Sequence, residues 1–237
     1  MEEEKKMRIG IMQPYFLPYL GYFQLLYAVD QYVIYDNIKY TKKGWINRNR
    51  YLCDGQSKYF TIPVAKDADE LDICERKVAE SFDRRKIKAQ IRAAYSKAPY
   101  FEQTFQLFCE CVDCMEENLF QFLYYSVKKI AAYLEIPTQI IVSSELQIGH
   151  EVRGKDKVLA ICHKLQADTY INPVGGKALY QKQEFEQQGV RLHFLEMEEI
   201  TYPQFGSPFI GSLSILDVLM FQSRDTVMQM LERYRLN

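Results

Sequence analysis

Two arginines stand two positions apart in Trp45-Ile46-Asn47-Arg48-Asn49-Arg50-Tyr51, a segment whose alternation suits an extended strand. Read that way, it sends Ile46, Arg48 and Arg50 to one side and Asn47 and Asn49 to the other. Two guanidinium forks on one face can clamp a phosphate or a carboxylate. The plainer reading is a solvated edge strand whose charges block aggregation. A second anion-binding candidate is Gly175-Gly176-Lys177, which lies between an apolar run and a helical pattern. Free amides, a pliant backbone and a cation meet there. The run lacks the longer glycine loop of a phosphate-binding motif, and an ordinary tight turn is its plainer reading. Cys109, Cys111 and Cys114 invite a metal reading. On a helix, positions two apart diverge by about 200°, so the three thiols cannot converge, and no metal site is expected. His150, His163 and His193 are isolated in the sequence, and no Ser-His-Asp or Cys-His constellation is legible.

These side chains need elements to carry them. Residues 8–12 form a short apolar run that reads as a buried strand, stopped by Gln13-Pro14. Phe16, Leu20, Phe23 and Tyr27 then recur at helical spacing, and Pro18 in a first turn puts the helix start near Leu17. Residues 31–35 read as a strand that ends in Asp36-Asn37. Such a strand, helix, strand unit has the size of a right-handed parallel crossover, with ligands at the strand ends. Gln13, Tyr22, Asp36 and Asn37 are candidates by that position. Residues 58–64 should pair with the arginine strand across Asp54-Gly55.

Residues 69–135 read as helical, with helices over 84–97, 100–114 and 116–134 whose aromatic stripes are assigned to core packing. Strands over 139–142, 169–171 and 191–195 alternate with helices over 155–165 and 177–188. With the two opening strands this predicts a mostly parallel five-stranded sheet in one α/β domain, 1–237, carrying a helical insertion or subdomain at 69–135. A last passage runs from Thr201-Tyr202-Pro203-Gln204-Phe205 through Ser207 into a helix ending at Phe221, capped by Ser212 or Ser214. Asp217 falls in its first turns, where the helix dipole favours a carboxylate.

The chain has 237 residues, 48% of them apolar, enough for one well-cored α/β domain. Thirty Lys and Arg against 31 Asp and Glu leave a net charge of −1, so bulk electrostatics give no case for nucleic acid or an anionic membrane. The charged start, MEEEKKM, has no signal-peptide core, and no apolar run reaches the ~20 residues that span a bilayer. A cytoplasmic protein whose six cysteines are reduced is expected.

The segments IMQPYFLPYLGYF, AVDQYVIYDNIKYTKKGWINRNR, INPVGGKALY, TYPQF and LSILDVL, in that order, resemble the WbqC-like family. Members of that family are encoded in bacterial O-antigen and other surface-polysaccharide gene clusters, and glycine transfer onto a sugar has been suggested for them. The resemblance implies a transferase acting on a sugar or nucleotide-sugar. Under it Asp36 and Tyr22 are assigned to catalysis, Asp36 as base or as orienter of an acceptor hydroxyl. Binding falls to Gln13, Asn47, Arg48, Asn49, Arg50, Gly175, Gly176, Lys177, Tyr180, Gln204 and Ser214.

The order of elements also resembles Rossmann-like nucleotidylyltransferases of the HUP class, which implies a nucleoside triphosphate and magnesium. Those enzymes carry His-x-Gly-His at the first helix, where this chain has Tyr19 and Tyr22. A phenol with a reference pKa of about 10 does not replace a protonated imidazole against phosphate. A non-catalytic nucleotide or sugar scaffold is the third reading, and homo-oligomerisation is open.

Overall fold

The computed structural model describes residues 6–206 and 208–237; positions 1–5 of the charged N-terminus and Ser207 lie outside the described residues. β1 (Arg8–Met12) and β2 (Gln31–Ile34) pair in parallel around α1 (Leu20–Tyr27). β5 (Gln139–Val142), β6 (Thr169–Pro173) and β7 (Arg191–Met197) extend the parallel sheet. β8 (Tyr234–Leu236) then adds to β7 antiparallel, which gives six strands in the order β5-β2-β1-β6-β7-β8. The expected five-stranded sheet is therefore one strand short. β8 is a three-residue edge with Tyr234 and Arg235 side by side, too short for a periodic signal.

Helices cover both faces. α5 (Gly154–Lys164) and α6 (Lys182–Glu186) bury Val158, Ile161, Cys162 and Phe185 against Ile9, Ile11, Tyr170 and Leu192. The opposite face carries α1 and α7 (Ile215–Phe221), and its apolar cluster continues without a break through α2 (Arg84–Tyr95), α3 (Phe101–Val112) and α4 (Leu119–Tyr133). Asp83 caps α2 by accepting the Lys86 amide at 2.9 Å, and Asn118 caps α4 by accepting that of Gln121 at 3.1 Å. Ahead of α2, residues 69–83 hold one short 3-10 turn, Ile73–Glu75, rather than a helix. α8 (Arg224–Met230) leads into β8. Gln24 of α1 donates to the carbonyls of Met230 and Arg233 at 2.8 and 3.0 Å, tying that return to the first crossover.

Outside the sheet, β3 (Arg48–Cys53) and β4 (Gln56–Thr61) form a hairpin across Asp54-Gly55, both at positive φ as a tight hairpin turn demands. Ile46 is buried with Asn47 and Asn49, and does not share a face with Arg48 and Arg50. Residues 41–46 turn before the strand begins, and the Ile46 carbonyl accepts the Phe16 amide at 2.9 Å.

Two helix starts shift from expectation. α1 begins at Leu20, because Leu17 sits at φ 45° and cannot continue a right-handed helix. The predicted 177–188 helix is divided: its first two residues close a 3-10 segment, Val174–Ala178, and α6 starts only at Lys182 after three non-helical residues. Residues 201–204 carry no regular structure. Among the described residues no helix is long and apolar enough to cross a membrane.

Candidate functional site

The order in which strands are laid down reverses between the parallel neighbours β1 and β6: one half proceeds through β2 to β5, the other through β7 to β8. In open parallel sheets the crevice beyond the strand ends at such a reversal is where ligands bind. Three cavities open along this edge. The middle one, about 470 Å³, lies over the ends of β1 and β6 and is lined by Gln13, Tyr15, Tyr35, Asn172, Gly176 and Tyr180, among others. A second, about 410 Å³, shares Tyr35, Ile38 and Gly154 with it, and brings Lys39, Arg153 and Lys157 together with Glu70, Asp72 and His150. The third, about 310 Å³, shares Tyr15 with the middle one and is walled by Tyr19, Trp45, Asn49, Arg50 and Ser212.

The cationic cavity has the N-terminus of α5 in its wall. Gly154 opens that helix at φ 56°, a left-handed conformation that glycine adopts at no steric cost. Lys157, one turn on, is buried, donates to the Asn37 carbonyl at 3.0 Å and stands 5.0 Å above the Tyr35 ring. Burial lowers its pKa, and the nearby Asp72 and Asp36 carboxylates pull the other way. Across the cavity Asp72 lies 3.8 Å from His150 Nδ1. Burial, and then the neighbouring Glu75, hold the Asp72 carboxyl above its ordinary range. Asp72 and the His150 imidazole thus stand within one water of each other on the cavity wall. In the middle cavity, the Gly176 backbone lies so close to the Asn172 amide that a Cβ there would overlap it, whereas Gly175 has open space. Tyr15, the wall between the middle and third cavities, has its phenol pushed up to about 12 by burial, with Tyr19 adding to it.

The model of the WbqC-like protein family matches residues 13–229. The chain belongs to the WbqC-like protein family. The match begins at Gln13 and spans every cavity wall named above. The chain is also similar to the uncharacterized protein Rv1507c of Mycobacterium tuberculosis (strain ATCC 25618 / H37Rv), 26% identical over 218 residues that cover 90% of this chain and 92% of the relative.

Of the residues singled out from sequence, this WbqC-like chain brings Gln13, Gly175, Gly176 and Tyr180 to the middle cavity, Asn37 to the second, and Asn49 and Arg50 to the third. Others hold the walls. Asn49 Nδ2 donates to the Leu17 carbonyl at 2.9 Å, and Ser214 Oγ to the same carbonyl at 2.7 Å, fixing the left-handed turn of the 13–19 loop. Asn47 accepts from Tyr40 and donates to the Ile62 carbonyl, inside the hairpin core. Arg48 spends its donors on the carbonyls of Lys43 and Gly44 and stacks on Tyr59. Gln204 closes on Ile210 and Asp217. Lys177 is exposed, its Nζ 6.0 Å from the Phe194 ring centre, and lines none of the three cavities.

Asp36 and Tyr22 stand apart from the cavities. Asp36 is 1% exposed; Ser143 Oγ and the Ser144 amide donate to one oxygen and Ser144 Oγ to the other, stapling the end of β2 to the end of β5. Tyr22 is walled in by Tyr15, Phe23 and Tyr32, and burial raises its pKa. Sequence reasoning passed over Asp72, His150, Lys157 and Asn172. His150 appeared isolated because Asp72 is 78 positions away, and only the Asn172 position, at a strand end, carried a readable signal. Among the described residues no group of three or more His, Cys, Asp or Glu has metal-holding geometry, and all six cysteines are free.

Proposed function

We propose that this protein is a cytoplasmic transferase that acts on a nucleotide-sugar in the assembly of bacterial surface polysaccharide, moving a small group such as an aminoacyl unit. The observation that carries the reading is the cavity at the α5 N-terminus, with Lys39, Arg153 and Lys157 against Glu70 and Asp72, sharing Tyr35, Ile38 and Gly154 with the cavity at the sheet reversal. Lys157, Arg153, Lys39 and the first amides of α5 suit a diphosphate. Gln13, Asn172 and Tyr180 suit the hydroxyls of an attached sugar. Asp72, with His150 beside it, is the general base of this reading, because the Asp36 oxygens are already filled. Membership of a family whose resemblance points to polysaccharide gene clusters supports the same direction.

The architecture supports a nucleotide as the handle. Taken in chain order, the sheet strands β1, β2, β5, β6, β7 and β8 lie in the order 3-2-1-4-5-6, which is the Rossmann-like order. In this reading the chain is one α/β domain and residues 69–135 are a helical insertion joined to it by a shared apolar cluster. The same strand order favours one alternative, a HUP-type nucleotidylyltransferase working with magnesium and a nucleoside triphosphate.

A thermal-shift panel of nucleoside triphosphates, nucleotide-sugars and amino acids, each with and without magnesium, separates these ideas. A ligand at 100 times its dissociation constant adds about 2.7 kcal/mol of stability. The transferase reading expects a nucleotide-sugar to stabilise. A triphosphate that stabilises only with magnesium moves the assignment to nucleotidylyl transfer, and a silent panel leaves a non-catalytic scaffold.

A further inference from the structure

The third cavity pairs aromatic walls with a cation that no carboxylate in its lining opposes. Its walls hold three aromatic rings, Tyr15, Tyr19 and Trp45, and one guanidinium, Arg50, with no carboxylate. Arg50 forms no ion pair among the described residues. One of its donors goes to the Ser212 carbonyl at 2.8 Å, its buried Nε has no partner, and the group stands 5.5 Å from the Trp45 ring centre. The Trp45 face favours the guanidinium, but a buried Nε with no acceptor is costly, and an anionic group on a ring ligand would supply that acceptor.

The walls are fixed before anything binds. β3 supplies both clamps: Asn49 holds Leu17 and Arg50 holds Ser212, the two residues on this rim with positive φ, at 45° and 54°. Such conformations cost of order 1–3 kcal/mol each and persist where the surroundings impose them. At about 310 Å³ the cavity is at the small end of ligand sites, sized for one ring rather than a nucleotide.

We propose that this cavity is a separate subsite for a sugar ring bearing one negative group, a carboxylate or a phosphate ester. The apolar C–H face of the ring lies against Trp45 and Tyr19, and the anion meets the Arg50 fork. Tyr15 is common to this cavity and the middle one, so a ring seated here has its hydroxyls toward the donor cleft. Its role as acceptor rests on the transferase reading above; its binding does not.

The experiment uses the protein's own reporter, since Trp45 is its sole tryptophan. Trp45 emission of the full chain is titrated with a hexuronate, a hexose 6-phosphate and the neutral hexose. The expected result is a saturable change with one or both charged sugars, at least tenfold weaker with the neutral one and lost in Arg50→Gln. Which charged sugar binds identifies carboxylate or phosphate. No saturable change with either, or equal affinity for charged and neutral sugars, overturns the proposal. An unchanged titration in a folded Arg50→Gln does so too. Should Arg50→Gln melt early, the wild-type comparison of charged with neutral sugar decides by itself. Calorimetry with a nucleotide-sugar on the same samples reports the donor cleft independently, so the two readings fail separately.

Discussion

Lys157 delivers its ammonium to the carbonyl of Asn37 at 3.0 Å, at the floor of the cationic cavity. That bond uses one of three donors and leaves a buried charge facing the place where a diphosphate is proposed to lie. Because burial depresses its pKa, the charged form costs the folded state at neutral pH, and the cost is relieved as pH rises toward the unfolded value near 10.4.

Lys157→Met is therefore expected to leave the unliganded protein within about 1 kcal/mol of the wild type, the lost hydrogen bond offsetting the relieved desolvation. The same variant should lose the melting shift caused by a nucleotide-sugar. Lys177→Ala should keep that shift in full, since Lys177 lines none of the cavities. Paired thermal melts with and without ligand check both.

Gly176→Ala and Gly175→Ala form an internal comparison. An added Cβ at 176 overlaps the Asn172 amide and is expected to cost about 1–3 kcal/mol while displacing that amide from the cavity wall. At 175 the space is open, and the change should stay within about 0.5 kcal/mol. Urea unfolding of the two variants measures the difference.

Asp217 predicts a pH signature. It is fully buried in α7 and accepts from Tyr95, Tyr202 and Gln204 at 2.7, 2.8 and 2.6 Å. Burial raises its pKa against the opposing pull of those donors. A carboxyl that holds its proton more tightly folded than unfolded contributes stability below the unfolded pKa, near 3.9, and loses it as pH climbs through the folded value. Asp217→Asn should be less stable overall, because an amide presents a donor where a second oxygen is needed. Its unfolding free energy should also lack the wild type's descending step above about pH 4. A urea series across pH on both proteins isolates that step.

Ser214→Ala removes a buried donor to the Leu17 carbonyl and the cap on the Leu216 amide, and should cost about 1–2 kcal/mol in chemical unfolding. Trp45 emission should shift with it, since the Leu17 carbonyl beside the aromatic cavity loses one of its two side-chain donors.

The parallel strands were legible because each is a short apolar run between turn residues, and the hairpin because Asp54-Gly55 announces it. β8 was not, since a three-residue edge is made by its pairing with β7 rather than by its own composition. Position at the strand end placed Gln13 beside a cavity, and Tyr180 lines the same one. Site residues were read poorly where the partner is remote: nothing near Asp36 in sequence announces Ser143 and Ser144, and nothing near His150 announces Asp72. Arg48 and Arg50 share a strand face, yet one caps its own loop and the other lines a cavity. That difference is set by residues 43–44 and 212, which alternation along a strand cannot reveal.

The Leu17 turn also dictates when the protein becomes able to bind. Its second anchor, Ser214, is 197 positions downstream, so the ribosome has made nearly the whole chain before the loop can lock. Contacts of such sequence separation form late and slowly. A chain that stops short of residue 214 can assemble its first parallel strands and still lacks the Ser214 hold on the Leu17 turn beside the aromatic cavity.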